Sequence, residues 1–252
     1  MLEDVRGKRV LITGASSGIG AATARLLGRL GARVAVHYRH RQAEAEVVAA
    51  DIVASGGEAC LLCGDLGDPA VPGTLVAEAV AALGGLDVLI NNAAEQIRYQ
   101  MFAEVSVEDW DRTYAVVARA PFLLCRAAWP HLVASGGGRI INISSNTVKY
   151  GASSMSLAYG SAKSALETVS RCLAREGAKH NILVNIVRPG VIDTPMFREV
   201  DGYSAEQAAA RLKMIPLGRA GTSDEVAFMV VFLSSAAAGF ISGAVIPVAG
   251  GE

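Results

Sequence analysis

Net charge is what this chain most lacks: 23 Lys and Arg stand against 24 Asp and Glu, leaving −1. So even a balance gives no electrostatic case for nucleic acid or an anionic membrane surface, and neither is expected as a partner. Cysteine is scarce too, at four residues. Cys60 and Cys63 form a C-x-x-C, but Glu58 to Cys63 reads as a strand, where residues three apart face opposite ways. There is no second C-x-x-C, and Cys125 and Cys172 sit alone in apolar helical patterns. We therefore expect four buried thiols in a reducing cytoplasm rather than a zinc or redox site. His37, His40, His131 and His180 show no ligand spacing, so no metal is expected. Met1 to Lys8 is charged and lacks the apolar core of a signal peptide. Val226 to Gly251 carries no charge, but Ser234, Ser235, Gly239, Ser242, Gly243 and Pro247 interrupt it. A short helix, a turn and a buried strand fit that stretch better than a membrane span. No linker, charge block or repeat divides the 252 residues, and one large domain is expected over 1–252.

What is present begins with Thr13-Gly14-Ala15-Ser16-Ser17-Gly18-Ile19-Gly20, directly after the apolar run Arg9 to Ile12. The run reads as a buried strand, and the glycines open a helix continued by Ala24, Leu26, Leu27 and Leu30. Glycine lets the backbone turn sharply and approach a bulky anion. The helix start adds unpaired N–H groups and the positive end of its dipole, a cradle for a dinucleotide pyrophosphate. The spacing is G-x-x-x-G-x-G and no Lys-Ser/Thr pair follows, which argues against a P-loop. Further on, Tyr159 and Lys163 lie four residues apart, so on a helix a phenol and an ammonium leave one face. Leu166, Val169 and Leu173 carry the helical repeat, and the strand-like run Arg139 to Ile143 ends in Ser144-Ser145.

In these motifs the chain resembles the short-chain dehydrogenase/reductase family over nearly its whole length. Asn91-Asn92-Ala93-Ala94 is similar to the family's Asn-Asn-Ala-Gly segment, Asp65-Leu66 falls where the family holds the adenine, and Arg188 to Thr194 resembles its Pro-Gly loop beside the nicotinamide. Ile246 to Gly251 is similar to the last strand. The cofactor-binding residues implied are Gly14, Ser16, Ser17, Gly18, Ile19, Gly20, Arg39, Asp65, Leu66, Asn92, Ala93, Tyr159, Lys163, Pro189, Gly190, Ile192 and Thr194. Strand-like runs at about 9–12, 33–37, 58–63, 86–90, 139–143, 182–187 and 244–248 alternate with helical patterns. They imply an α/β, Rossmann-like, doubly wound seven-stranded parallel sheet with helices on both faces. Its motifs would gather at the carboxyl ends of the strands.

The chemistry this implies is reversible hydride transfer between a nicotinamide and a carbonyl/alcohol pair. Tyr159 would pass the proton, Lys163 would lower the phenol's pKa and hold the nicotinamide ribose, and Ser145 would fix the carbonyl oxygen, with Ser144 its rival. The interval from Ser145 to Tyr159 is one residue longer than is common in the family. At the end of the second strand, Tyr38 stands where NAD-binding relatives carry an acid, and Arg39 follows. A guanidinium suits a 2′-phosphate, and with no carboxylate seen to oppose it the expected cofactor is NADP(H). Many family members carry an Asn where this chain has Val117. Val117 falls on an apolar stripe, which makes it core, yet Pro121 lacks the N–H that would occupy the Val117 carbonyl, so a weakened proton relay is the other reading. The segment 195–216, with Met196, Phe197, Tyr203, Leu212 and Met214, reads as a substrate lid or as a packed surface helix. Glu95, Gln96, Arg98, Tyr99 and Met155 are candidates to line the substrate pocket. The expected function is an NADP(H)-dependent ketone reductase acting on a small carbonyl substrate. The alternatives are a 3-oxoacyl carrier-protein reductase and a nucleotide-binding relative whose redox role has faded into regulation. The resemblance also implies a homotetramer through the helices around 106–132 and 157–178, with Leu123, Trp129, Leu166 and Leu173 available.

Overall fold

Apolar runs too uniform for a half-exposed sheet require cover on both faces. In the computed structural model, which describes residues 2–95, 98–152, 155–199 and 204–252, they have it. The strands β1 (Arg9–Ile12), β2 (Arg33–Tyr38), β3 (Glu58–Cys63), β4 (Val88–Asn91), β5 (Gly138–Ile143), β6 (Ile182–Pro189) and β7 (Val245–Val248) form one parallel sheet. Their order is β3-β2-β1-β4-β5-β6-β7. Alternation along β1 sends Val10 and Ile12 to one face, with α1 (Gly18–Arg29), α2 (Gln42–Ala54) and α9 (Ser223–Ser234). Leu11 goes to the other, with α3 (Val71–Leu83), α5 (Ala120–Ala134) and α6 (Leu157–Gly177). The direction of winding reverses between β1 and β4, and a crevice opens at their carboxyl ends.

The edges correct two expectations. The last strand is not buried: β7 pairs only with β6, and its Pro247 is exposed, as befits a residue with no N–H to give a ladder. Nor are the thiols uniformly buried. Only Cys125 is; Cys60 is half-buried, Cys63 is exposed at the end of edge strand β3, and Cys172 is exposed on α6.

The helix expected before β5 is interrupted. From α4 (Val107–Tyr114) the chain passes through one π turn, Ala115–Arg119, in which the Ala120 N–H returns to the Ala115 carbonyl, and continues as α5. A wider turn ahead of Pro121 accommodates a ring that would clash in a regular helix and an N–H that is missing. The segment 195–216 holds α7 (Pro195–Glu199) and α8 (Ala205–Lys213), the latter started by a reciprocal cap between Ser204 and Gln207. Among the described residues no helix is long and apolar enough to cross a membrane, and no cluster of three or more His, Cys, Asp or Glu could hold a metal.

Candidate active site

A cavity of about 410 Å³ lies at the carboxyl ends of the strands. At one end it meets the turn between β1 and α1. Gly14 there has φ +63°, and a Cβ on it would stand 2.9 Å from Ala93 Cα. Ser17, just before α1, gives the helix no side-chain cap, so its first N–H groups are left to the cavity. Gly14, Ser16, Ser17, Gly18 and Ile19 all line the space, but Gly20 does not. Gly20 packs against the turn instead: a Cβ on it would come within 2.4 Å of the Gly14 carbonyl and 2.5 Å of Asn92 Nδ2. Gly20 is needed for the turn to close on the helix.

The turn is held from both sides. His37 Nδ1 accepts from the Gly14 N–H at 3.1 Å, which leaves Nε2 to donate to the Gly64 carbonyl at 3.0 Å. Burial pushes the imidazole down to about 4, against a smaller upward pull from Gly64 and Asp65, so it is neutral at physiological pH. Asn92 Nδ2 donates to the Thr13 and Gly14 carbonyls, both at 2.9 Å, while Thr13 Oγ1 accepts from the Asn92 and Ala93 N–H groups. His37 was passed over as a ligand in sequence, and nothing short of the strand register could have revealed it as a brace.

Arg39, Asp65 and Leu66 line the same end. Arg39 is not unopposed, contrary to expectation. Its two terminal nitrogens donate to both oxygens of Glu95, at 2.9 and 3.0 Å, and Asp65 lies 3.8 Å away. Arg112 of α4 closes the ring, donating to Glu95 at 2.7 Å and to Asp65 at 2.8 and 3.0 Å. The missing acid at Tyr38 is thus supplied from the strand next but one, a pairing made by topology that no local pattern carries.

The third wall joins β5 to α6. Ser145, Tyr159 and Lys163 line one cavity with Asn92, Ala93, Pro189, Gly190, Ile192 and Thr194. Both serines border the cavity, but their hydroxyls part. Ser144 is buried and donates to Glu167 at 2.7 Å, whereas Ser145 hydrogen-bonds Tyr159. Three consecutive residues of β5 and its end bind three places on α6. Asn142 Nδ2 donates to Ser170 at 2.7 Å, the Ile143 carbonyl accepts from Lys163 Nζ at 2.6 Å, and Ser144 reaches Glu167. Lys163 is 1% exposed, and its Nζ lies 5.5 Å from the centre of the Tyr159 ring.

The electrostatics differ from the expected lowering of the phenol. Burial raises the Tyr159 hydroxyl above its ordinary range, Tyr99 adds to the rise, and the Ser145 bond only partly offsets it. Burial likewise brings Lys163 down to about 7, with Glu167 pulling the other way. Desolvation outweighs charge here because protein surrounds both groups closely.

At the far end, Met196, Phe197 and Arg211 from α7 and α8 line the cavity; of the expected pocket residues, Glu95 lines it beside Arg39, and Tyr99 lines it too. Arg98 and Met155 do not: they line a separate small recess beside α4, where Arg98 lies 3.8 Å from Asp109. Gln96 and Tyr203 fall outside the described residues. Asn146 was missed in sequence although it adjoins Ser145. It is 2% exposed, lines the cavity, and neither of its amide atoms has a partner among the described residues. Val117 is fully buried, while Val116 lines the cavity in its place.

A family model described as Enoyl-(Acyl carrier protein) reductase matches residues 14–252. Versicolorin reductase 1 of Aspergillus parasiticus is 39% identical over 97% of this chain and 96% of its own length. A short-chain dehydrogenase from Burkholderia cenocepacia J2315, solved in complex with NADP, superposes with a TM-score of 0.91 at 34% identity, covering 98% of both chains. A blue fluorescent protein from a metagenomic library, solved with NADPH, gives 0.89 at 34% identity over the same share of both. With its fold, glycine turn and Ser–Tyr–Lys wall, the chain belongs to the short-chain dehydrogenase/reductase family of nicotinamide-dependent oxidoreductases.

Proposed function

We propose that the protein reduces a ketone to a secondary alcohol with NADPH, Tyr159 giving the proton. The observation that carries this reading is the single cavity that joins an uncapped helix start and a forked guanidinium to a buried phenol bonded to a serine. The turn fits a dinucleotide: Gly14 and Gly18 have positive φ, and a Cβ at Gly18 would press on Thr194 at 3.2 Å. Gly14 to Ile19 would hold the pyrophosphate, Asp65 and Leu66 the adenine, and Arg39 the 2′-phosphate. Pro189, Gly190, Ile192 and Thr194 would seat the nicotinamide, which when bound supplies the hydride.

The residues then divide the proton chemistry. Ser145 donates to the substrate oxygen and holds it against Tyr159. Burial keeps the phenol protonated at neutral pH, so it is a donor, which suits reduction. The phenolate left behind is stabilised by Lys163, whose own value near 7 lets it exchange a proton under the same conditions. Helices α7 and α8 act as the lid, Met196 and Phe197 shielding the ketone from water. The neighbours solved with NADP and NADPH support the cofactor, and the reductase name of the fungal relative supports the direction. The assembly is a homotetramer, supported by Phe122 and Val133 exposed on α5 and not by Leu166, which is buried inside the subunit. The test is consumption of NADPH and of NADH against a panel of activated ketones. Turnover with NADPH is expected; no turnover with any ketone would overturn the reading.

A further inference from the structure

Arg39, Glu95, Arg112 and Asp65 form a closed ring of alternating charge, and its members come from four different segments. Two features of the ring matter. Glu95 presents both oxygens to the two terminal nitrogens of Arg39, the fork-to-fork geometry in which a guanidinium also takes a phosphate. Arg112, which does not line the cavity, holds Glu95 through its Nε and Asp65 through its two terminal nitrogens. If Arg39 lets go, Glu95 stays paired and stays where it is.

Building on the proposed NADPH reading, we infer that Glu95 is an internal competitor for the cofactor's 2′-phosphate and sets the preference between NADPH and NADH. In the free protein its carboxylate occupies the guanidinium that the phosphate needs. To bind NADPH the protein exchanges one bidentate anion for another, and the displaced carboxylate remains beside a phosphate of like charge. NADH asks for no exchange, because a 2′-hydroxyl leaves Arg39 on Glu95. The pair is partly exposed, with side chains 34% and 24% accessible, so the exchange is open to water. Glu95 therefore lowers NADPH affinity while leaving NADH affinity alone, and the selectivity of Arg39 is held below what the guanidinium alone would give.

The experiment is a fluorescence titration of NADPH and NADH binding to the full chain and to Glu95→Gln, Arg39→Met and the double variant. Glu95→Gln is expected to tighten NADPH about tenfold, the scale of one charge-assisted pair, and to move NADH less than about twofold. In the Arg39→Met background the same substitution is expected to change NADPH affinity less than about twofold, since there is then no guanidinium to compete for. Glu95→Ala, checked for its melting temperature, is expected to act in the same direction and guards against a misfolded Gln variant. Weaker or unchanged NADPH binding in both Glu95 variants would overturn the inference and make Glu95 a brace for Arg39. If Arg39→Met fails to weaken NADPH selectively, it is the cofactor reading itself that falls, and the two failures are thereby told apart.

Discussion

The two ends of the cavity differ in how far the protein satisfies its own polar atoms. At the glycine turn the hydrogen bonds close on themselves: His37 takes the Gly14 N–H, Asn92 takes two carbonyls, and Thr13 takes two N–H groups. At the lid end they do not. Both amide atoms of Asn146 and the Nη1 of Arg211, on residues that line the cavity, are buried without a partner among the described residues, although Arg211 pairs with Glu252 through its other terminal nitrogen. A buried polar atom left unpaired costs on the order of 1–3 kcal/mol. The turn is thus finished before any ligand arrives, save for the uncapped start of α1, and the other end is completed by what enters. That division is expected where a constant cofactor meets a variable substrate.

The comparison can be broken by substitution. Its largest test is at the junction of the two ends: Tyr159→Phe should cut turnover by about 10²- to 10⁴-fold while NADPH titration shows nearly unchanged binding. Activity within about tenfold of the parent would remove Tyr159 from the proton path. Arg39→Met belongs wholly to the finished end. It should weaken NADPH by about ten- to a hundredfold for every ketone tried and hardly alter NADH. Val117→Asn puts an amide into a fully buried site, so a loss of about 1–3 kcal/mol in denaturant unfolding is expected without a gain in turnover. A faster enzyme of unchanged stability would show that the missing amide had limited the relay.

Smaller effects should separate the ends most clearly. Arg211→Met should change KM for some ketones and not others, by less than about tenfold, with NADPH affinity untouched. A uniform change across substrates would place Arg211 with the lid's framework. At the finished end the expected signature is a pH slope. His37 sits below its unfolded value of 6.5, at about 4, so between these the unfolded chain binds a proton that the folded chain does not. Stability must therefore fall as pH drops from 6.5 through about 4, and urea midpoints of the parent and of His37→Asn should converge over that window. Lys163 gives the same sign in a higher window. Lying at about 7 against 10.5, it makes stability rise with pH between those values, a slope that Lys163→Met should lose.

The same division marks what could be read from sequence. The glycine turn was legible because positive φ and a helix start demand glycine at set positions, and the Tyr159/Lys163 pair because a four-residue interval selects one helix face. The strands were legible because burial on both faces makes them continuously apolar. What escaped depends on contacts between distant segments. Glu95 meets Arg39 across 56 positions, and Arg112 meets Asp65 across 47. Cys63 looked like core because its strand is apolar, and only the strand order shows that it lies at an edge. The π turn has a cause in sequence, Pro121, but its effect was expected as an unoccupied Val117 carbonyl rather than as a widened turn.

The three bonds from the end of β5 to α6 have a consequence for how the chain can be edited. They fix the helix against the strand at Asn142, Ile143 and Ser144, so the separation of Ser145 from Tyr159 is set by that template and not by the length of chain between them. The one-residue excess in the interval leaves this template untouched, since all three bonds reach α6 beyond Tyr159. Adding a further residue between Tyr150 and Ser156 should therefore leave the reacting groups in place. Adding one between Lys163 and Ser170 would turn the remainder of the helix by about 100° and carry Ser170, at least, off its partner. The loop is a tolerant place to lengthen this protein, and the eight residues from Lys163 to Ser170 are an intolerant one.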